Sequence, residues 1–170
     1  MLHTISVLVD NRFGVLARIS GLFSARGYNI ESLCVGITED PTISRMTVVV
    51  QGDDRVLQQI VNQLNKMVEV IEVFDLTQES YVERELVLIK TEADAKRRTE
   101  LLEITNIFRA KVVDMGPEAV IIEVTGSQDK IQAFVDMVRP FGIQEVARTG
   151  RIALARSMNG RPDTASGKGD

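Results

Sequence analysis

Asp10-Asn11-Arg12-Phe13-Gly14-Val15-Leu16 is the stretch whose residue types and spacing best suit chemistry with a ligand. It lies between an alternating apolar run and an apolar stripe of helical spacing, so it reads as a strand-to-helix turn. Asn11 is a candidate cap for that helix, and Gly14 falls in its first turn. A helix start presents amide N–H groups without intrahelical acceptors and a partial positive charge, which together favour a carboxylate. Glycine at position 14 lets a ligand approach the backbone closely. The same two residues satisfy ordinary capping preferences, and spacing alone does not separate a cap from a ligand site.

Other reactive side chains are scarce. His3, the only histidine, lies at the start of the first strand and reads as a solvated edge residue rather than a base. Cys34 is the only cysteine, with no histidine near it in sequence, and reads as a small hydrophobe. Asp53-Asp54 is explained by helix capping, and Glu100 and Glu103 belong to a mixed-charge helix face with Lys96, Arg97 and Arg98. The chain has no metalloprotease, paired-cysteine, Walker-type or dinucleotide motif. No catalytic residue and no metal ligand is assigned.

The elements that must position the Asp10–Leu16 turn follow from periodicity. Ile5, Val7 and Val9 alternate with Thr4, Ser6 and Leu8 as in a strand. Val15, Leu16, Ile19, Leu22 and Phe23 form one helical stripe, ended by Arg26-Gly27. Tyr28 to Ile37 and Ser44 to Val50 read as strands about the turn Glu39-Asp40-Pro41. A second helix starts at Gly52-Asp53-Asp54, and Val68 to Leu76 is a closing strand. The order is β-α-β-β-α-β, the ferredoxin-like pattern.

Thr77 to Glu83 is polar and aperiodic and reads as a linker. The order then repeats: a strand at Glu85–Lys90, a helix at Asp94–Arg109, strands at Lys111–Met115 and Ala119–Thr125, a helix capped by Ser127, and a strand at Ile143–Arg148. The two halves share architecture but no motif. The expected fold is α+β with two ferredoxin-like domains, 1–77 and 82–156, followed by a Gly-, Ser-, Asp- and Pro-rich tail over 157–170 expected to be disordered.

Bulk properties exclude several function classes. The net charge of −4 argues against a general nucleic-acid binder. RNA-recognition modules share this element order but stack bases on strand aromatics. Here His3–Val9, Ser44–Val50, Glu85–Lys90 and Ala119–Thr125 carry none. No apolar run approaches the roughly 18 residues of a membrane helix, and the N-terminus lacks a signal peptide's basic region. A soluble, cytoplasmic protein is expected, with no membrane or nucleic-acid partner.

The run from Ser6 to Phe23 resembles an ACT domain. Gly21-Leu22-Phe23-Ser24-Ala25-Arg26-Gly27-Tyr28-Asn29-Ile30-Glu31-Ser32-Leu33 is similar, more narrowly, to the small regulatory subunits of acetolactate synthase. Asp40–Thr47, Val82–Leu86, Arg109–Asp114 and Glu145–Gly150 extend the resemblance over about Met1–Arg156. It implies a non-catalytic subunit that activates a large catalytic subunit and confers feedback inhibition in branched-chain amino acid biosynthesis. Thiamine diphosphate, Mg and FAD would belong to that large subunit, with no cofactor in this chain. It also implies a homodimer through paired ACT domains, with valine, or leucine or isoleucine, bound between them. Asn11, Arg12, Phe13, Gly14, Val15 and Leu16 would hold the amino acid's polar end, and Asn29 and Ile30 of the neighbouring copy would complete the pocket. Valine needs an acceptor for its ammonium, donors for its carboxylate and an apolar wall. The Asn11 amide, the helix start, and Val15, Leu16 and Ile30 can supply them. Alternative readings are an ACT amino-acid sensor for a different enzyme or transcription step, an enzyme acting alone, and an RNA-binding module.

Overall fold

Alternation in the opening strand puts Ile5, Val7 and Val9 on one face of a sheet, and two amphipathic helices close over that face. The structure, a computed structural model, describes residues 1–157. The expectation for the tail therefore lies outside the described residues except at Ser157. The first half consists of β1 (Leu2–Asp10), α1 (Val15–Ala25), β2 (Ile30–Ile37), β3 (Ile43–Gln51), α2 (Asp54–Leu64) and β4 (Val70–Asp75). Its antiparallel sheet runs β2-β3-β1-β4, which leaves β2 at one edge. Ile19, Phe23, Leu57 and Ile60 pack on Ile5, Val7, Met46 and Val48 as one core. Asp53 caps α2 by accepting from the Val56 N–H at 2.8 Å.

The second half repeats the plan with β5 (Tyr81–Glu92), α3 (Arg98–Ile107), β6 (Lys111–Met115), β7 (Ala119–Gly126), α4 (Gln128–Val138) and β8 (Ile143–Arg148). Its sheet runs β6-β7-β5-β8. Phe134, at the centre of α4, packs edge-on against Phe108 with ring centroids 5.3 Å apart. The α+β class and two ferredoxin-like domains are as the periodicity implies.

Three local expectations change. The polar segment read as linker is half strand, because β5 begins at Tyr81 and its first four residues pair with β9 (Ile152–Ala155). That two-stranded ribbon lies against the helix-free face of the first sheet, where Ala153 is buried and the Tyr81 hydroxyl reaches Thr4 Oγ1 at 3.4 Å. His3 is not a solvated edge residue but fully buried, its Nε2 bonded to the Gly52 carbonyl at 3.1 Å. His3 has the parity of Ile5 and Val7, so its side chain lies on the sheet face that the helices cover.

Ser127 occupies the N-cap of α4 but makes no side-chain cap bond. Instead the Glu83 carboxylate accepts from the Gln128 N–H at 3.0 Å and faces the Arg151 guanidinium at 3.8 Å. Both side chains are largely buried. Glu83→Ala is expected to cost about 2 kcal/mol, through a lost helix-start acceptor and an uncompensated guanidinium. Glu83→Gln keeps an acceptor and is expected to cost less. Chemical denaturation of the two variants checks this order.

Candidate functional site

Two backbone bonds fix the turn after β1. The Asp10 N–H donates to the Glu69 carbonyl at 2.9 Å, and the Asn11 N–H donates to the Thr42 carbonyl at 2.7 Å. The Asn11 side chain does not cap α1, contrary to its expected role. Its Nδ2 donates to the Pro41 carbonyl at 2.9 Å, which leaves Oδ1 open to receive a donor. The Asp40-Pro41-Thr42 turn holding it is itself locked. Asp40 Oδ1 accepts from the Thr42 hydroxyl at 2.7 Å and the Thr42 N–H at 2.8 Å. Those bonds, the hydroxyl's first, hold the Asp40 carboxyl below its usual range.

Gly14 takes the N-cap position instead, at φ +84, and no side chain caps the helix. The turn needs one left-handed residue there, and glycine adopts that conformation without a Cβ penalty. The amides of Gly14, Leu16 and Ala17 have no acceptor among the described residues, and no acidic residue occupies the first turn. The dipole's positive end is therefore uncompensated by a first-turn acid. A Cβ built on Gly14 would meet nothing within 4 Å, so the space over these amides is open.

The remaining expected residues divide by direction. Val15 is buried in the core, so it offers the site its backbone rather than its side chain. Arg12 turns back to Asp10, with an ion pair of 2.7 Å, and Phe13 is fully exposed. Leu16 is 46% exposed and supplies apolar surface beside the free amides. Val35 and Ile37 of β2 are 41% and 69% exposed. By register they lie on the helix-bearing face, opposite Met46 and Ser44. Sequence reasoning missed both, although Leu33, Val35 and Ile37 alternate along an edge strand.

Asn29 and Ile30 lie elsewhere. Ile30 pairs with Val50, which pairs with His3, whereas Ile37 pairs with Ser44, which pairs with Val9. Within one chain Asn29-Ile30 thus sits at the start of β1 and Asn11–Leu16 at its end. At the ordinary strand rise the two groups are separated by on the order of 20 Å. Asn29 Nδ2 donates to Glu31 Oε1 at 2.8 Å, and no bond joins it to the Asn11 turn. A second copy can close that gap. If β2 pairs antiparallel with its own copy about a two-fold axis near Leu33–Cys34, residue 30 of one chain comes opposite residue 37 of the other.

No group of three or more potential metal ligands occurs among the described residues. No helix among them is long and apolar enough to cross a membrane.

The comparisons with known proteins agree over both halves. Residues 5–72 match the family described as an AHAS small subunit-like ACT domain, and residues 84–157 match the small subunit of acetolactate synthase. A probable acetolactate synthase small subunit of Archaeoglobus fulgidus is 56% identical, over 92% of this chain and 98% of that protein. An acetolactate synthase small subunit of Aquifex aeolicus is 52% identical, over 92% of this chain and 82% of its own length. The crystal structure of the acetolactate synthase small subunit from Thermotoga maritima superimposes with a TM-score of 0.83 at 40% identity, covering 92% of this chain and 98% of that one. The chain therefore belongs to the family of acetolactate synthase small, regulatory subunits, and its first half is that family's ACT domain.

Proposed function

We propose that two copies of this chain hold one branched-chain amino acid, valine or else leucine or isoleucine, at each junction between the Asn11–Leu16 turn and Asn29-Ile30 of the other copy. Through that site the chain imposes feedback inhibition on the large, thiamine-diphosphate-dependent catalytic subunit that it otherwise activates. The observation that carries the reading is the set of uncapped amides at the start of α1, beside an Asn11 Oδ1 free to accept. These amides suit the carboxylate, Oδ1 suits the ammonium, and Leu16 with Ile37 suits a branched apolar side chain. An effector shared between copies stabilises the dimer arrangement that closes the pocket, by its differential affinity for the two states. One methylene in an apolar pocket is worth about 1–3 kcal/mol, so discrimination among the three amino acids is modest.

Calorimetric titration of the full chain with valine, leucine and isoleucine tests the assignment. Binding is expected for at least one of them. Asn11→Ala is expected to weaken it about tenfold or more, the worth of one hydrogen bond to a charged group. An Asn11→Ala chain that binds as tightly as the parent refutes the pocket. A purified chain that leaves a large subunit's turnover unchanged refutes the partner.

A further inference from the structure

Asn11 is held by two successive carbonyls of the β2–β3 turn. Its main-chain N–H donates to the Thr42 carbonyl at 2.7 Å, and its Nδ2 donates to the Pro41 carbonyl at 2.9 Å. A carbonyl can only accept, so the side-chain amide has one allowed orientation, with Nδ2 toward Pro41 and Oδ1 away from it. The turn that presents these carbonyls is closed on itself. Asp40 Oδ1 accepts from both the hydroxyl and the N–H of Thr42, and the Thr38 hydroxyl donates to the Asp40 carbonyl at 3.0 Å. Below the turn, the ladder ends at Ile37 opposite Ser44, and the Thr38 N–H donates to the Ile43 carbonyl at 2.9 Å. The Asp40 carboxyl is held below its usual range by the Thr42 hydroxyl first and the Thr42 N–H second, so it stays an ionised acceptor well below neutral pH.

An amino acid and the 2-oxo acid of the same carbon skeleton share a carboxylate and an apolar side chain. The uncapped amides of α1 and the Leu16 surface therefore meet both alike. The two compounds differ only at Cα, where one carries an ammonium and the other a carbonyl oxygen. Asn11 is the side chain of the turn that can read this difference, because the neighbouring Asp10 carboxylate is paired with Arg12 at 2.7 Å. With Oδ1 outward, the amide attracts an ammonium and repels a carbonyl oxygen. Turned over, it would present N–H groups and the preference would reverse. We propose that the Asp40-Pro41-Thr42 turn is the specificity element of the effector site, setting the Asn11 amide so that the chain responds to an amino acid and rejects its 2-oxo acid. Asp40, Pro41 and Thr42 are positioning residues, acting through Asn11 without touching the ligand. The inference rests on the effector reading given above. Amino-group transfer alone converts the oxo acid into the amino acid, so this selection ties inhibition to the aminated product rather than to the compound before it.

Calorimetric titration of the full chain with valine and with its oxo acid, 3-methyl-2-oxobutanoate, tests this. The parent is expected to favour valine by about tenfold to a hundredfold, the worth of one hydrogen bond to a charged group. Asp40 is exposed, so Asp40→Ala is expected to keep the fold while freeing both Thr42 donors. It is expected to weaken valine about fivefold and to leave the oxo acid bound at least as tightly, whereas Asp40→Asn keeps an acceptor and retains most of the selectivity. Thr42→Val removes only the hydroxyl's bond and is expected to lower the ratio about twofold, which serves where Asp40→Ala does not fold. In an Asn11→Ala background, Asp40→Ala is expected to change valine affinity by less than about twofold, since the amide through which it acts is gone. A parent that binds both compounds equally overturns the inference while valine binding stands. So does an unchanged ratio in the folded turn variants, or a fivefold valine loss that persists in the Asn11→Ala background. A parent chain that binds no branched-chain amino acid overturns the effector reading and this inference together.

Discussion

Gly14→Asp is expected to leave the chain folded and to weaken effector binding about 100-fold, with valine inhibition of the holoenzyme lost and its activation kept. Fold retention follows from the backbone and from space. Aspartate is one of the few residues that visit the left-handed region, and nothing stands within 4 Å of a Cβ at this position. The new carboxylate then sits where the amides of Leu16 and Ala17 point. It can cap the helix that no side chain caps at present, so α1 itself stands to gain. Binding loses twice, since the amides are occupied and the ligand's own carboxylate meets a like charge. Two charge-assisted hydrogen bonds at about 1.5 kcal/mol each amount to roughly 3 kcal/mol, or about two decades in affinity. Gly14→Ala separates the two contributions: it carries the left-handed strain and a Cβ in the ligand's space without the charge, and is expected to bind more weakly than the parent but more tightly than the aspartate variant. Calorimetry on both variants, with turnover of the reconstituted enzyme in the presence and absence of valine, gives the readout. Full valine sensitivity in the aspartate variant places the effector elsewhere.

What could be read in advance was whatever a short stretch of chain decides for itself. Ile5, Val7 and Val9 announce a strand with one apolar face, and Ile131, Phe134, Val135 and Val138 announce a helix, because period and burial are local consequences of backbone geometry. Asp53 caps its helix for the same reason, with its acceptor three residues from the donor. Failures occur where the deciding partner is distant in sequence. Tyr81-Val82-Glu83-Arg84 looks like a polar linker until β9, some seventy residues later, pairs with it. Ser127 looks like the cap of α4, but Glu83 reaches the helix first from across the fold. His3 looks frayed because its position is terminal in sequence, whereas the strand it begins is interior in space. The Asn11 turn was legible as a strand-to-helix turn but not in its details. That Asn11 is held by the Pro41 carbonyl, which frees its oxygen, depends on a hairpin thirty residues away.

The second large effect is expected at Gly150, where the returning chain meets β2. Gly150 has φ +81, and a Cβ there would lie 3.0 Å from Ser32 Oγ and 3.1 Å from the Leu33 carbonyl oxygen. The next residue donates its N–H to the same Ser32 hydroxyl at 3.0 Å. Alanine at this position must bear left-handed strain and push against backbone of the neighbouring domain, at a combined cost of about 2–4 kcal/mol. Neither core lies at this contact, so the loss falls on the docking of the two halves rather than on either domain. Hydrogen exchange in Gly150→Ala is therefore expected to quicken in β9 and the first half of β5 while the buried strands β1 and β7 keep their protection. Gly27→Ala is the proper reference, since Gly27 has φ +68 but open space around its Cβ position and bears the strain alone. Ser32 follows Ile30 on β2, so the Gly150 contact joins the strand that begins after Asn29 to the ribbon that enters the second sheet. If that junction carries the signal, Gly150→Ala binds valine with nearly parental affinity yet transmits less inhibition to the catalytic subunit. Equal losses in binding and inhibition would instead assign the contact to assembly of the pocket, and calorimetry paired with turnover separates the two.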